Sequence, residues 1–238
     1  MSKQAPTVTL ERPIESLHES HETIVSLHTR KLFVPDAPEP HLAYNASKRI
    51  LDLVVASLAL VATSPVFLIV ALFNFRGGGV FYKQRRLGIG GRAFVCYKFR
   101  SMVPGAEELR EQIESLNITR GPTFKNEEDP RVTRIGRFLR RTSLDELPQL
   151  INVLRGEMSL VGPRPLAVDE NRYRGYQHLR LSVMPGLTCI WQVSGRSTVA
   201  FDRWMDMDLE YVDTRSLAKD VSLLIRTVPA VLSGDGAY

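Results

Sequence analysis

An aspartate and a glutamate stand side by side in the run Thr142-Ser143-Leu144-Asp145-Glu146-Leu147-Pro148. Serine followed three residues later by glutamate matches a capping box, and acidic residues in a first helical turn complement the macrodipole. The same place suits chemistry: the positive end of a helix and the upstream arginines would keep Asp145 ionised, available as a nucleophile or a metal ligand. Adjacent residues on a helix diverge by about 100°, so Asp145 and Glu146 are expected to play separate roles. His18, His21, His28 and His41 all lie in the polar N-terminal stretch, which leaves His178 for the rest of the chain. That argues against a histidine-centred triad or a multi-histidine metal site, and a metal would be oxygen-bound, which suits Mg2+. Cys96 and Cys189 sit in apolar stretches with no paired spacing, arguing against a disulfide framework or a thiolate zinc site.

Positioning these groups falls to a chain with 31 Lys and Arg against 26 Asp and Glu, a balance that favours phosphates, anionic lipid or nucleic acid as company. Residues 1–46 are polar without sustained periodicity and read as a mostly disordered tail. Residues 47–76 read as a membrane-embedded helix, because Ile50 to Phe73 is apolar over a membrane's length between Lys48-Arg49 and Arg76. Pro65 lacks a backbone donor and biases Ser64 away from helix, which predicts a break at Ser64-Pro65, with the Thr63 and Ser64 hydroxyls placed to bond freed carbonyls. Positive charge at both ends favours a re-entrant helical hairpin, with a kinked transmembrane helix as the alternative.

Residues 77–238 then form the remaining domain. Val80–Tyr82 and Ala93–Phe99 read as a β-hairpin around the turn Leu87-Gly88-Ile89-Gly90-Gly91, whose glycines lack a Walker spacing. Pro104 to Asn117 reads as an acidic helix, Arg134 to Arg141 as a basic amphipathic helix suited to lipid phosphates, and Pro148 to Arg155 as a helix stopped by Gly156. Met158 to Pro165 reads as extended, and the apolar run Val221 to Leu232 as packing inward or lying on a bilayer surface. The fold class is α+β, mostly helical, with amphipathic surface helices.

Several strings taken in order carry a resemblance: Lys48-Arg49 before an apolar segment with Ser64-Pro65, Tyr97-Lys98-Phe99-Arg100-Ser101-Met102, Ser143 to Leu150, Val161-Gly162-Pro163-Arg164-Pro165, and Pro185-Gly186-Leu187-Thr188. Over residues 46 to 238 the chain resembles the bacterial sugar transferase family, the monotopic polyprenyl-phosphate phosphoglycosyl transferases. The stretch Trp191-Gln192-Val193-Ser194-Gly195-Arg196 and the ending Gly236-Ala237-Tyr238 make it similar to exopolysaccharide-initiating members. The resemblance implies a catalytic domain on the cytoplasmic face of the bacterial cytoplasmic membrane. It implies that Asp145 attacks the sugar-linked phosphorus of a UDP-sugar, expels UMP and carries the phosphosugar until polyprenyl (undecaprenyl) phosphate displaces it. Mg2+ would sit by Asp145 and the diphosphate, and Glu146 would bind metal or orient the acceptor. Arg164 between Pro163 and Pro165, together with Arg140, Lys98 and Arg100, would bind substrate. Nucleic acid is not an expected partner, and self-association is left open. The polar tail makes the chain resemble the short catalytic form of the family, without four additional membrane helices.

A non-catalytic, membrane-anchored basic scaffold would explain the charge but not the Asp-Glu and Pro-Arg-Pro strings. A transferase of the multi-spanning type, with direct transfer and no covalent intermediate, would bury its reaction among many helices, where this chain shows one apolar segment.

Overall fold

A computed structural model describes residues 42–74, 79–109, 126, 129–167, 175–234 and 236. Residues 1–41 of the expected tail lie outside these, as do Gly77-Gly78 and positions 110–117 of the expected acidic helix, whose described beginning, 104–109, forms turns. The architecture is α+β and mostly helical.

The first helix, α1 (Leu42–Asn74), has 33 residues, about 50 Å of rise measured along its axis. It starts inside the stretch expected as tail. Its most apolar window has a mean hydropathy of 2.5 with 11% of it buried against the rest of the protein, and it is long and apolar enough to cross a membrane. Leu58, Val61, Leu68, Leu72 and Phe73 are exposed, an apolar surface that a core helix of a water-soluble domain would cover. The helix runs through Ser64-Pro65, where the sequence predicts a break. The reason is local. Pro65 cannot donate to the carbonyl of Val61, and the Ser64 hydroxyl takes that carbonyl at 2.8 Å while the Thr63 hydroxyl donates to Ala59 O at 2.7 Å.

Polar residues of α1 tie it to the rest of the protein. Asp52, 4% exposed, accepts from Ser159 Oγ at 3.0 Å and Leu160 N at 2.9 Å. Arg49 donates to Val153 O and Leu154 O, capping the last carbonyls of α3 (Gln149–Arg155). Lys48 and Tyr44 donate to Asp220 Oδ2, and Tyr211 donates to its Oδ1. At the far end, Asn74 Nδ2 donates to Arg100 O at 2.9 Å.

The hairpin forms as expected, with a longer first strand: β1 (Phe81–Leu87) pairs antiparallel with β2 (Ala93–Phe99), Phe81 opposite Phe99 and Leu87 opposite Ala93. Helix α2 (Arg134–Arg141) begins at Thr133, whose hydroxyl accepts from Gly136 N, an ordinary N-cap. It buries Leu139 against Val70 and Phe99 and exposes Ile135 and Phe138. Helix α3 ends at Gly156, whose φ of 77° is a left-handed conformation that glycine adopts without strain.

Strands β3 (Ser159–Val161) and β4 (Gly186–Thr188) pair in parallel. Their close approach accounts for two glycines in the strings: a Cβ on Gly162 would lie 2.3 Å from Met184 O, and one on Gly186 would lie 2.0 Å from Gly162 N. Backbone cannot yield there as a side-chain tip would. Gly162→Ala is therefore expected to cost about 3 kcal/mol or more through overpacking, read in detergent as a fall in melting temperature of about 10 °C. Helices α4 (Phe201–Thr214) and α5 (Leu217–Ser233) close the fold. Helix α5 buries Asp220 and Leu223 and exposes Leu217, Val221, Ile225, Val228 and Leu232, so the apolar run expected here turns one stripe inward and another outward.

Candidate active site

The turn after α2 makes the site. Ser143 adopts φ 56° and ψ 15°, a left-handed conformation that costs a non-glycine residue of order 1–3 kcal/mol. It reverses the chain into a single 3-10 turn, Leu144–Glu146, ahead of α3. The expected capping box does not form: Ser143 makes no side-chain cap bond, and Glu146 turns to partners far away in sequence. Lys98 Nζ donates to Glu146 Oε1 at 2.8 Å, and Arg164 grips the same carboxylate with both Nη atoms, Nη1 reaching Oε2 at 3.0 Å.

Asp145 is 6% exposed and lies 3.6 Å from Lys98 Nζ. Burial pushes its carboxyl above the ordinary aspartate range, with the positive charge of Lys98 opposing and the negative charge of Glu146 reinforcing the rise. That differs from the sequence expectation of a carboxylate kept ionised by a helix end, because burial outweighs the cations. Glu146 goes the other way. Burial alone would raise it, but Arg164 and then Lys98 overrule burial and hold it well below its usual range. The two carboxylates thus have separate characters. Glu146 is a firmly ionised ion-pair partner, and Asp145 is a buried carboxyl whose protonation follows its surroundings.

Arg140 is within electrostatic reach of Asp145 as well. Its Nε donates to Ser101 Oγ at 3.0 Å, burial lowers its pKa, and the charge of Asp145 is the largest factor holding it up. Arg164 is placed by its backbone as well as its side chain: Gly186 N donates to Pro163 O, Arg86 Nη1 to Pro165 O, and Arg180 Nη2 to Arg164 O. Arg180 is in turn held by Asp208, through Nε at 3.1 Å and through Nη2. Burial pushes Asp208 up to about 6 despite that arginine.

The structure therefore brings Asp145, Glu146, Lys98, Arg140 and Arg164 together, with Pro163 and Pro165 buried beside them. It does not bring in Arg100, whose guanidinium bonds the backbone carbonyls of Gly79 and Phe81 at the base of the hairpin. Ser64 and Pro65 lie in α1, where the Ser64 hydroxyl bonds Val61 O. Sequence reasoning missed Arg86, Arg180 and Asp208, all supports of the Pro-Arg-Pro segment, and no local pattern marks them.

The sequence profile of the bacterial sugar transferase family matches residues 43–234. The chain is 44% identical over 199 residues to the exopolysaccharide production protein ExoY of Rhizobium meliloti, covering 81% of this chain and 88% of the relative. It is 39% identical over 217 residues to the UDP-glucose:undecaprenyl-phosphate glucose-1-phosphate transferase of Caulobacter vibrioides, covering 86% and 76%. It is also 45% identical over 197 residues to the undecaprenyl-phosphate galactose phosphotransferase of Salmonella typhimurium, covering 80% of this chain but 41% of that protein. With the match running from the start of α1 to the end of α5 and enclosing every residue of the cluster, the chain belongs to the bacterial sugar transferase family.

Proposed function

We propose that the protein transfers a sugar 1-phosphate from a UDP-sugar to polyprenyl phosphate in two displacements at Asp145, as the first step of exopolysaccharide or related glycan assembly. The observation that carries this reading is a buried aspartate with three cationic side chains around it, Lys98, Arg140 and Arg164, and no histidine among them. Phosphoryl transfer asks for positioning and charge neutralisation more than for elaborate acid-base groups. A carboxylate oxygen of Asp145 attacks the sugar-linked phosphorus, the bond from that phosphorus to the bridging oxygen breaks, and UMP leaves with that oxygen. An oxygen of the lipid phosphate then attacks the same phosphorus, frees the carboxylate and yields a polyprenyl diphosphate sugar.

Among the described residues no group of three or more His, Cys, Asp or Glu could hold a metal, and Glu146 is already engaged by two cations. A donor set of one or two carboxylates, completed by diphosphate oxygens and water, fits Mg2+. Asp145 would hold the ion, which would supply neutralising charge to the diphosphate.

Membrane placement follows the same reading. Both ends of α1 bond to the same domain, Lys48 and Arg49 at one end and Asn74 at the other. This supports a re-entrant course that keeps the catalytic domain on the cytoplasmic face of the bacterial inner membrane. The exposed Ile135 and Phe138 among the arginines of α2 suit an interface with anionic headgroups. Incubation of the purified protein with Mg2+, polyprenyl phosphate and a panel of UDP-sugars is expected to release UMP from at least one, matched by lipid-linked sugar. UMP from none of them would overturn the reading.

A further inference from the structure

Arg164 has its main chain fixed by Arg180 and one side of its guanidinium fixed by Glu146, and a third residue holds the other side. With its amide oxygen toward Arg164, Gln192 accepts from Arg164 Nη1 at 2.9 Å, and its amide nitrogen donates to Leu187 O at 3.3 Å. This orientation satisfies both ends of the amide, and its nitrogen end also lies 2.9 Å from Cys189 Sγ. Leu187 belongs to β4, so the amide is anchored to the strand whose neighbour, β3, leads into Pro163-Arg164. The short turn that carries Gln192, Trp191–Val193, is itself rigid, because Trp191 packs on Trp204 with ring centroids 4.3 Å apart.

We infer that Gln192 is a positioning residue that sets the direction of the Arg164 guanidinium toward the substrate diphosphate, resting on the transfer reaction proposed above. A guanidinium carries five N–H donors. Both Nη1 protons are used, on Glu146 and Gln192, and one Nη2 proton is used on Glu146. The second Nη2 proton and the Nε proton are left to present to phosphate oxygens. A neutral amide is the right kind of partner for this purpose, since it orients the fork without consuming its charge. A carboxylate in its place would bind Arg164 more tightly and cancel what the diphosphate needs.

Gln192→Leu is expected to raise KM for the UDP-sugar about tenfold, the loss of one hydrogen bond to a charged group, with kcat within about threefold of wild type. Gln192→Glu should raise KM further, although it keeps an acceptor in place. In an Arg164→Lys background, which keeps the charge and loses the fork, Gln192→Leu should add less than about twofold. The melting temperature without ligand should stay within about 2 °C of wild type, since no buried charge is left unpaired, while the rise produced by UDP should shrink. An equal factor for Gln192→Leu in both backgrounds, or wild-type kinetics for that variant, would overturn the inference. If the wild type turns over no UDP-sugar, the proposed activity fails, and the UDP-induced rise in melting temperature decides for Gln192 on its own: a rise equal in wild type and Gln192→Leu, or none in wild type, overturns it.

Discussion

Asp145→Asn is expected to lower turnover by about 10^4-fold or more, as loss of a nucleophile does, while the variant folds and enters membranes like the wild type. The reason lies in the environment of the side chain. Burial already penalises the charge of Asp145, and the neutral amide escapes that penalty, so the melting temperature should equal or exceed that of wild type. Active-site groups held at a cost to stability behave in this way. Single-turnover experiments with a labelled UDP-sugar check the chemistry directly. Wild-type protein should retain label covalently before lipid phosphate is added and release it afterwards, and Asp145→Asn should retain none. A variant with more than a few per cent of wild-type turnover would remove Asp145 from the nucleophile's role.

Arg164→Met should do the opposite to stability. It leaves Glu146, whose side chain is 15% exposed, with Lys98 alone, and removing one member of a buried pair costs about 3 kcal/mol. Turnover should fall about 10^2- to 10^3-fold, the usual result of losing a donor aimed at developing charge. The pH dependence has a definite sign. Glu146 is held well below its ordinary value of 4.5 in the folded protein, so its pairing stabilises the fold above pH 4.5, and that contribution is lost as pH falls from there toward the depressed folded value. The difference in melting temperature between wild type and Arg164→Met should thus be full near pH 7 and shrink below about pH 4.5. A gap unchanged between pH 7 and pH 4 would mean that the Arg164–Glu146 pair contributes nothing to stability.

Elements made by local rules were legible in the sequence. The basic helix falls on Arg134–Arg141 as expected, because Thr133 caps it and apolar residues recur at helical spacing. The helix after Pro148 stops at Gly156, because that glycine accepts a positive φ. What local pattern does not contain is the long-range contact that overrides it. Ser143 and Glu146 have the spacing of a capping box, yet Glu146 is drawn to Lys98, 48 residues earlier, and to Arg164, 18 residues later. Asp145 sits where a helix end and arginines should ionise it, yet burial, which depends on the whole fold, raises its pKa. Arg100 sits two residues from Lys98 in one motif, but it lies beyond the last residue of β2 and turns to backbone carbonyls. The Asp-Glu pair and the Pro-Arg-Pro segment could be found from residue types and resemblance. The supports of that segment, Arg86, Arg180 and Asp208, could not, since no spacing connects them.

The tie between α3 and the hairpin bears on how copies of this protein behave beside one another. Asn152 Nδ2 donates to Val95 O at 2.7 Å, and its Oδ1 accepts from Tyr97 N at 3.1 Å. One side-chain amide thus occupies the outer edge of β2 much as the peptide of a further strand would. On the other edge, Arg86 bridges to Ala167, and Leu87 N donates to Leu166 O. A two-stranded ribbon left bare is a template for strand addition by another chain. Here the groups that would recruit that chain are already bonded at these points, which takes them out of reach of a strand from a second molecule.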